Sequence, residues 1–192
     1  PRTGGRTSLM KNVVVLETNK GDITIKLFPS KARKTVANFL RYVKAGFYRG
    51  TIFHRVVKNF VIQGGGYDKA MNKKKTHAPI GNEASNGLKN KRGTVAMART
   101  MNPNSATSQF FINLKDNAYL NAKPGRTGSG YCVFGKVIAG MDVVDRIGKA
   151  SVGRLGSHRH VPTKSVVIKR VYAPVRAKTV TKKKKTKSNS TK

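Results

Sequence analysis

The 192-residue chain contains no tryptophan, a single cysteine and only seven acidic residues. One cysteine, Cys132, excludes an intramolecular disulfide and a cysteine-based zinc site; it stands in a strand-like run and reads as a small buried hydrophobe. No apolar stretch approaches the roughly 20 residues that a membrane span needs, so no membrane association is expected. No apolar signal core follows Pro1. Removal of an initiator methionine or of a longer leader would leave such a start, and a cytoplasmic location is expected.

What the chain has in excess is positive charge. Forty Lys and Arg against seven Asp and Glu give a formal +33 at pH 7 and a pI near 11.1. Three of the basic residues lie in 1–11 and eight in 174–192; the 29 left in 12–173 face all seven acids, so that segment carries about +22. A domain charged in this way repels itself unless an anion screens it. A polyanion (RNA, DNA or a ribonucleoprotein) is the expected partner. The alternative is a basic face kept for solubility.

Residues 1–11 are polar, basic and without periodicity, and read as a flexible arm. Residues 12–173 are long enough for one domain with a real core. After that the chain turns to Thr/Lys/Ser low complexity, which buries too little apolar area to offset ordering entropy, so 174–192 read as a lysine-rich disordered tail. Within the domain, Val13–Leu16 and the alternating Ile23, Ile25 and Leu27 predict a hairpin. Val36, Phe39, Leu40 and Val43 recur at helical spacing up to Gly46, which suits a left-handed cap. Further strands are expected at 52–57, 60–64, 94–98, 109–114, 131–138 and 165–172, and a second short helix at 141–147 ending at Gly148. Residues 66–93, rich in Lys, Asn and Gly, have no periodicity, and so long an irregular stretch in a compact domain marks function. Many short antiparallel strands with two helices suggest a closed barrel with helices over its ends.

Residues 53–66, Phe-His-Arg-Val-Val-Lys-Asn-Phe-Val-Ile-Gln-Gly-Gly-Gly, are the most informative run. One guanidinium (Arg55), one carboxamide (Gln63) and an apolar pair (Phe60, Val61) fall within nine residues. If 52–57 and 60–63 are extended around a turn at Lys58-Asn59, the two-residue period lets Arg55 and Gln63 share a face. Such a surface can hold an apolar ring while donating hydrogen bonds to a neighbouring amide. With Ser108-Gln109-Phe110-Phe111-Ile112, this run resembles the signature of cyclophilin-type peptidyl-prolyl cis-trans isomerases, and the resemblance extends from about Val13 to about Tyr172.

The resemblance implies a mainly β fold, a closed eight-stranded antiparallel β-barrel capped by two α-helices. It also implies an enzyme that accelerates X–Pro rotation in proline-containing polypeptides, with no metal and no cofactor. The uncatalysed bond crosses a barrier of roughly 18–20 kcal/mol because rotation breaks amide resonance and leaves a lone pair on the imide nitrogen. The reaction needs a donor aimed at that nitrogen, an apolar slot for the ring and groups that grip the flanking backbone. By resemblance Arg55 is the donor, Phe60, Val61, Phe111 and Leu120 line the slot, and Gln63 and Gln109 bond the substrate backbone. Ala98-Arg99-Thr100 then offers a strand edge to the peptide. Isomerisation transfers no proton, so His54 is expected to be structural.

The chain departs from the common eukaryotic pattern in the way bacterial-type members do. Tyr119 stands where that pattern has Trp at the pocket mouth, Tyr131 where it has His, and the run 97–106 is one residue longer. Cyclosporin binding, which in the family leans on the Trp indole, is therefore not implied. Lys73, Lys74 and Lys75 in the irregular stretch and Lys182, Lys183, Lys184 and Lys185 in the tail are candidate phosphate contacts that read no base sequence. His158, Arg159 and His160, with Arg154 nearby, read as a loop cluster rather than a metal site, because 149–172 contain no carboxylate or thiol. A monomer is expected outside an assembly. Two readings stay open: an active isomerase held near nucleic acid by its charge, and a cyclophilin scaffold serving mainly as a basic component of a nucleoprotein assembly.

Overall fold

The computed structural model describes residues 12–174; the arm 1–11 and the tail lysines Lys182–Lys185 lie outside the described residues. The expected hairpin is β1 (Val13–Thr18) and β2 (Gly21–Leu27), followed by α1 (Arg33–Lys44). Then come β3 (Arg55–Val57), β4 (Val61–Gly64), β5 (Thr94–Met97), β6 (Phe110–Asn113), a 3₁₀ turn at Ala118–Leu120 and β7 (Val133–Ala139). The chain ends in α2 (Met141–Gly148), β8 (Val152–Leu155), β9 (His158–Pro162) and β10 (Ile168–Tyr172). No helix among the described residues is long and apolar enough to cross a membrane.

Eight strands form one antiparallel sheet in the order β10-β1-β2-β7-β5-β6-β4-β3. The closed barrel expected from the sequence is not what this ladder displays, since β3 and β10 end it and do not pair with each other. The cause lies in residues 52–54, read from sequence as the start of the strand 52–57. Their backbone groups are divided between two partners, with Ile52 N–H bonding Tyr67 O (3.0 Å) and Phe53 N–H bonding Val166 O (2.9 Å). One bridge, Ile52 to Val167, crosses between the two ends of the sheet.

Alternation decides the core. Val14 and Leu16 of β1 and Ile23, Ile25 and Leu27 of β2 point inward, meeting Val36 and Phe39 of α1 and Val144 and Ile147 of α2. Phe39 lies among the rings of Tyr48, Phe110 and Phe134 at 5.3, 5.8 and 5.2 Å between centroids. Gly46 (φ 63°) takes the left-handed position expected after α1.

The N-terminus of α1 has no side-chain cap of its own, as Ala32 stands at the capping position. Glu83, from the irregular stretch, supplies one across the fold. Its Oε1 accepts from Lys34 N–H (3.1 Å) and its Oε2 from Thr35 N–H (2.8 Å) and Thr35 Oγ1 (2.7 Å). A carboxylate there also meets the positive end of the helix. Glu83→Ala is expected to cost about 1–2 kcal/mol in urea denaturation, with Glu83→Gln recovering part of it. An unchanged midpoint in Glu83→Ala would show the cap to be idle.

The His158-Arg159-His160 stretch is not a loop. It is β9, paired with β8 in a separate two-stranded ribbon. Sequence periodicity missed it for two reasons: β8 is exposed at every residue, and β9 is broken by a bulge at His160 (φ 61°).

Candidate active site

The β3–β4 hairpin turns at Lys58-Asn59. Phe60 N–H returns to Val57 O at 3.0 Å, and Asn59 adopts φ 55°, a conformation asparagine tolerates. Arg55 stands directly opposite Gln63, Gln63 opposite Phe111, and Phe111 opposite Ala96. One continuous register thus sets a guanidinium, a carboxamide and an aromatic ring side by side on neighbouring strands.

Strand alternation produces a second apolar layer on the other side of these strands. Ile62, Val95, Phe110, Ile112 and Phe134 enter the main core. Their neighbours Val61, Ala96, Phe111 and Val133, with Leu120, form a separate buried cluster, against which the partly exposed Phe60, Leu88, Ala98 and Tyr131 pack. This cluster opens as a pocket of about 220 Å³ lined by Arg55, Phe60, Val61, Gln63, Ala98, Arg99, Phe111, Leu120 and Tyr131. It is smaller than the roughly 300–1,000 Å³ of drug-sized sites and suits a single ring. A larger depression of about 470 Å³, between 82–89 and 122–129, contains neither Arg55 nor an aromatic side chain.

Arg55 Nη1 donates to Gln63 Oε1 (3.3 Å), and Gln63 Nε2 donates to Gln109 Oε1 (3.1 Å). The Arg55 guanidinium carbon lies 5.8 Å from the centre of the Phe60 ring, within cation–π range. The relay through two carboxamides orients Arg55 and leaves most of its five N–H donors uncommitted. Gln109 therefore stands behind Gln63 rather than in the pocket wall. Gly66 backs this relay, because a Cβ there would meet Gln109 Cγ at 2.5 Å.

The remaining expected residues divide. Tyr119 is 64% exposed and stacks on Phe60 at 5.6 Å, so it sits at the mouth and not in the wall. Tyr131 meets Phe111 edge-on at 5.6 Å. Ala98 N–H extends the β5–β6 pairing by bonding Gln109 O (3.0 Å). Arg99 enters through its side chain: Nε and Nη2 both donate to Gly130 O (3.1 and 2.9 Å), and the guanidinium lies 4.6 Å over the Tyr131 ring. Thr100 is exposed, outside the pocket, and its N–H bonds Ser105 Oγ (2.9 Å). Lys73 and Lys75 are exposed, but Lys74 turns back onto the Phe47 carbonyl and lies 4.5 Å from that ring's centre.

The sequence reading missed what supports the pocket from behind. Asn90, Asn113 and Asn117 are almost fully buried. Asn117 Nδ2 donates to Phe60 O (3.0 Å) and Asn113 Oδ1 (2.8 Å), Asn113 Nδ2 to Asn90 Oδ1 (3.2 Å), and Asn90 Nδ2 to Leu120 O (3.1 Å) and Tyr131 O (3.3 Å). Three pocket residues are thus held through their carbonyls by one amide network. Nothing along the chain marks the three as a set: Asn113 falls in the run expected as strand 109–114, Asn90 in the irregular stretch, and Asn117 follows Asp116 as a loop former would.

Residues 13–173 match the family described as cyclophilin type peptidyl-prolyl cis-trans isomerase/CLD. The chain belongs to this family. It is 56% identical over 160 residues to peptidyl-prolyl cis-trans isomerase B of Escherichia coli, covering 83% of this chain and 98% of that one. It is 57% identical over 161 residues to a peptidyl-prolyl cis-trans isomerase of Acinetobacter baylyi, covering 84% and 85%. A Cryptosporidium parvum cyclophilin, solved in the presence of the dipeptide Ala-Pro, aligns with a TM-score of 0.68 at 30% identity, covering 84% of this chain and 98% of that one. This cyclophilin is a peptidyl-prolyl cis-trans isomerase.

Proposed function

We propose that the pocket of about 220 Å³ receives a substrate proline and that Arg55 donates to its imide nitrogen as the bond twists. The observation that carries this is the shared register, which sets a half-buried, oriented guanidinium against an apolar slot of one-ring size. Phe60, Val61, Phe111 and Leu120 take the ring. Arg55 then supplies a hydrogen bond that the planar amide cannot accept and the pyramidal nitrogen can, so it favours the transition state over the ground state. Lowering the barrier by ~7 kcal/mol corresponds to about a 10⁵-fold rate. Gln63 and the backbone at Ala98 and Arg99 hold the flanking peptide, while Tyr119 covers the mouth. The isomerase unit is 12–173, acting on proline-containing polypeptides. Exchange spectroscopy on an Ala-Pro peptide tests the reading: the full chain is expected to speed cis–trans exchange, and an unchanged rate would reject it.

The relay behind Arg55 has its own test. In Gly66→Ala the new methyl displaces Gln109, loosening Gln63 and Arg55 without backbone strain, so kcat/KM is expected to fall about 10-fold at nearly unchanged melting temperature. Gly65→Ala is expected to do the reverse. Gly65 has φ 85°, and its Cβ would come within 2.9 Å of the buried Phe110 and Tyr48 rings, so stability falls first. Wild-type turnover in Gly66→Ala would remove Gln109 from the site.

A second reading, association with a polyanion, is favoured by the poverty of internal charge compensation. Among the described residues the carboxylates take up Arg92, Arg146 and Arg170 as ion pairs, against +22 for 12–173. Of the consecutive lysines Lys73, Lys74 and Lys75 in the irregular stretch, Lys73 and Lys75 remain candidates for phosphate; Lys74 is withdrawn onto Phe47. The tail lysines Lys182–Lys185 would add contacts of the same kind.

A further inference from the structure

From Lys149 to Tyr172 the chain carries six Lys and Arg and two His with no Asp or Glu. The β8–β9 ribbon lies in this stretch and packs along β3. Arg154 and Arg159 are direct cross-strand partners, both exposed. Like charges placed opposite each other destabilise an antiparallel pair. Neither guanidinium has a carboxylate partner among the described residues. An anion held between the two would turn the repulsion into a pair of charge-assisted hydrogen bonds.

A second observation lies at the base of the ribbon. The bulge puts His160 in the left-handed region (φ 61°), and bulges re-aim side chains. His160 there lines a depression of about 400 Å³ together with Lys58 of the β3–β4 turn and Lys149 beyond α2. The rest of the lining (Val56, Val57 and 148–152) brings no carboxylate. Asp145, the acid one helical turn before Lys149, shares an adjoining depression with Lys58 and Lys149 and attracts Lys149, but gives both its hydrogen bonds, of 2.9 and 2.7 Å, to Arg92.

We propose that the β8–β9 ribbon and this depression form a docking surface for the phosphate backbone of a nucleic acid. Arg154 and Arg159 grip one phosphate, and Lys58, Lys149 and His160 a neighbouring one. The proposal rests on the polyanion reading above and assigns it a place. Contacts to phosphate carry no sequence information, so binding is general. A two-stranded ribbon also fits the major groove of B-DNA, about 12 Å wide, better than the deep, narrow one of duplex RNA.

The test is fluorescence anisotropy of the full-length chain with a short duplex DNA and a duplex RNA of matched length, over a salt series. In Arg154→Ser/Arg159→Ser, which frees one phosphate, the log–log salt slope is expected to shrink by about 0.9, with affinity down by about 8-fold near 0.1 M salt. Lys31→Ser/Arg33→Ser removes the same charge from an exposed site before and at the start of α1, and is expected to keep the slope. Unchanged Ala-Pro turnover in both variants certifies the fold. Either duplex behaving in this way supports the proposal, and the DNA-to-RNA ratio tells a groove from a bare backbone. Equal losses in the two double variants would overturn the docking surface and leave the polyanion reading standing. No binding of either duplex at low salt would overturn both. Ribbon-dependent binding of poly-glutamate with no binding of the duplexes would also overturn the proposal, giving the ribbon to an acidic protein.

Discussion

Arg55→Ala is expected to lower kcat/KM for an Ala-Pro peptide by about 10²–10³-fold, the range for loss of one preorganised donor at developing charge. The loss should appear in kcat and leave peptide binding nearly intact, because the apolar slot of Phe60, Val61, Phe111 and Leu120 is untouched. Stability should change little. Arg55 is only partly buried, and the interactions its side chain gives up are one 3.3 Å bond to Gln63 and a contact with the exposed rim of Phe60. Arg55→Lys separates charge from geometry: an ammonium keeps the charge without the planar fork, so intermediate activity is expected. Exchange spectroscopy at saturating protein gives kcat, titration gives binding, and thermal melting reports the fold. Turnover in Arg55→Ala within about twofold of wild type would remove Arg55 as the donor.

The site was legible in the sequence where the chemistry depends on strand periodicity. Arg55 and Gln63 share a face because a two-residue turn and a two-residue period fix their register, and both are local facts. The same holds for Phe111, whose neighbours Phe110 and Ile112 go to the core and force it outward. Both helices were legible from apolar spacing, and the first also from the left-handed Gly46 that follows it. Features that rest on meetings between distant segments were not. Glu83 caps a helix that begins fifty residues earlier, Arg99 finds its acceptor at Gly130, and Lys74 folds onto Phe47. The Asn90–Asn113–Asn117 network shares this character, since buried amides and loop amides look alike along a chain. The barrel ends were misjudged because residues 52–54 split their hydrogen bonds between two partners. Periodicity sees extended backbone but not who receives its hydrogen bonds.

His54 marks where the pocket's support is sensitive to acid. Its ring is buried against Tyr67 at 4.6 Å, and Nδ1 has no hydrogen-bond partner. Burial first, and then the positive charge of His158 and of Arg55, holds its pKa down to about 4. In the unfolded chain a histidine titrates near 6.5. The unfolded state therefore takes up a proton between those values that the folded state refuses, and stability rises with pH across the window. It is complete above about pH 6.5 and lost progressively toward pH 4, by roughly 3 kcal/mol at about 1.4 kcal/mol per pH unit. That is a large share of the ~5–15 kcal/mol that holds an ordinary domain together. His54→Phe keeps a ring against Tyr67 and cannot titrate; His54→Gln removes the charge without adding apolar volume. Urea midpoints for the three proteins at about pH 7 and about pH 4 give the difference, and His77, His158 and His160 cancel because all three proteins carry them. Wild type is expected to lose about 3 kcal/mol more than either variant. Equal losses in all three would show that His54 takes up its proton in the folded state. Since His54 precedes Arg55 on the chain, the same proton that destabilises the fold at this point would also disperse the donor, and activity should fall together with stability.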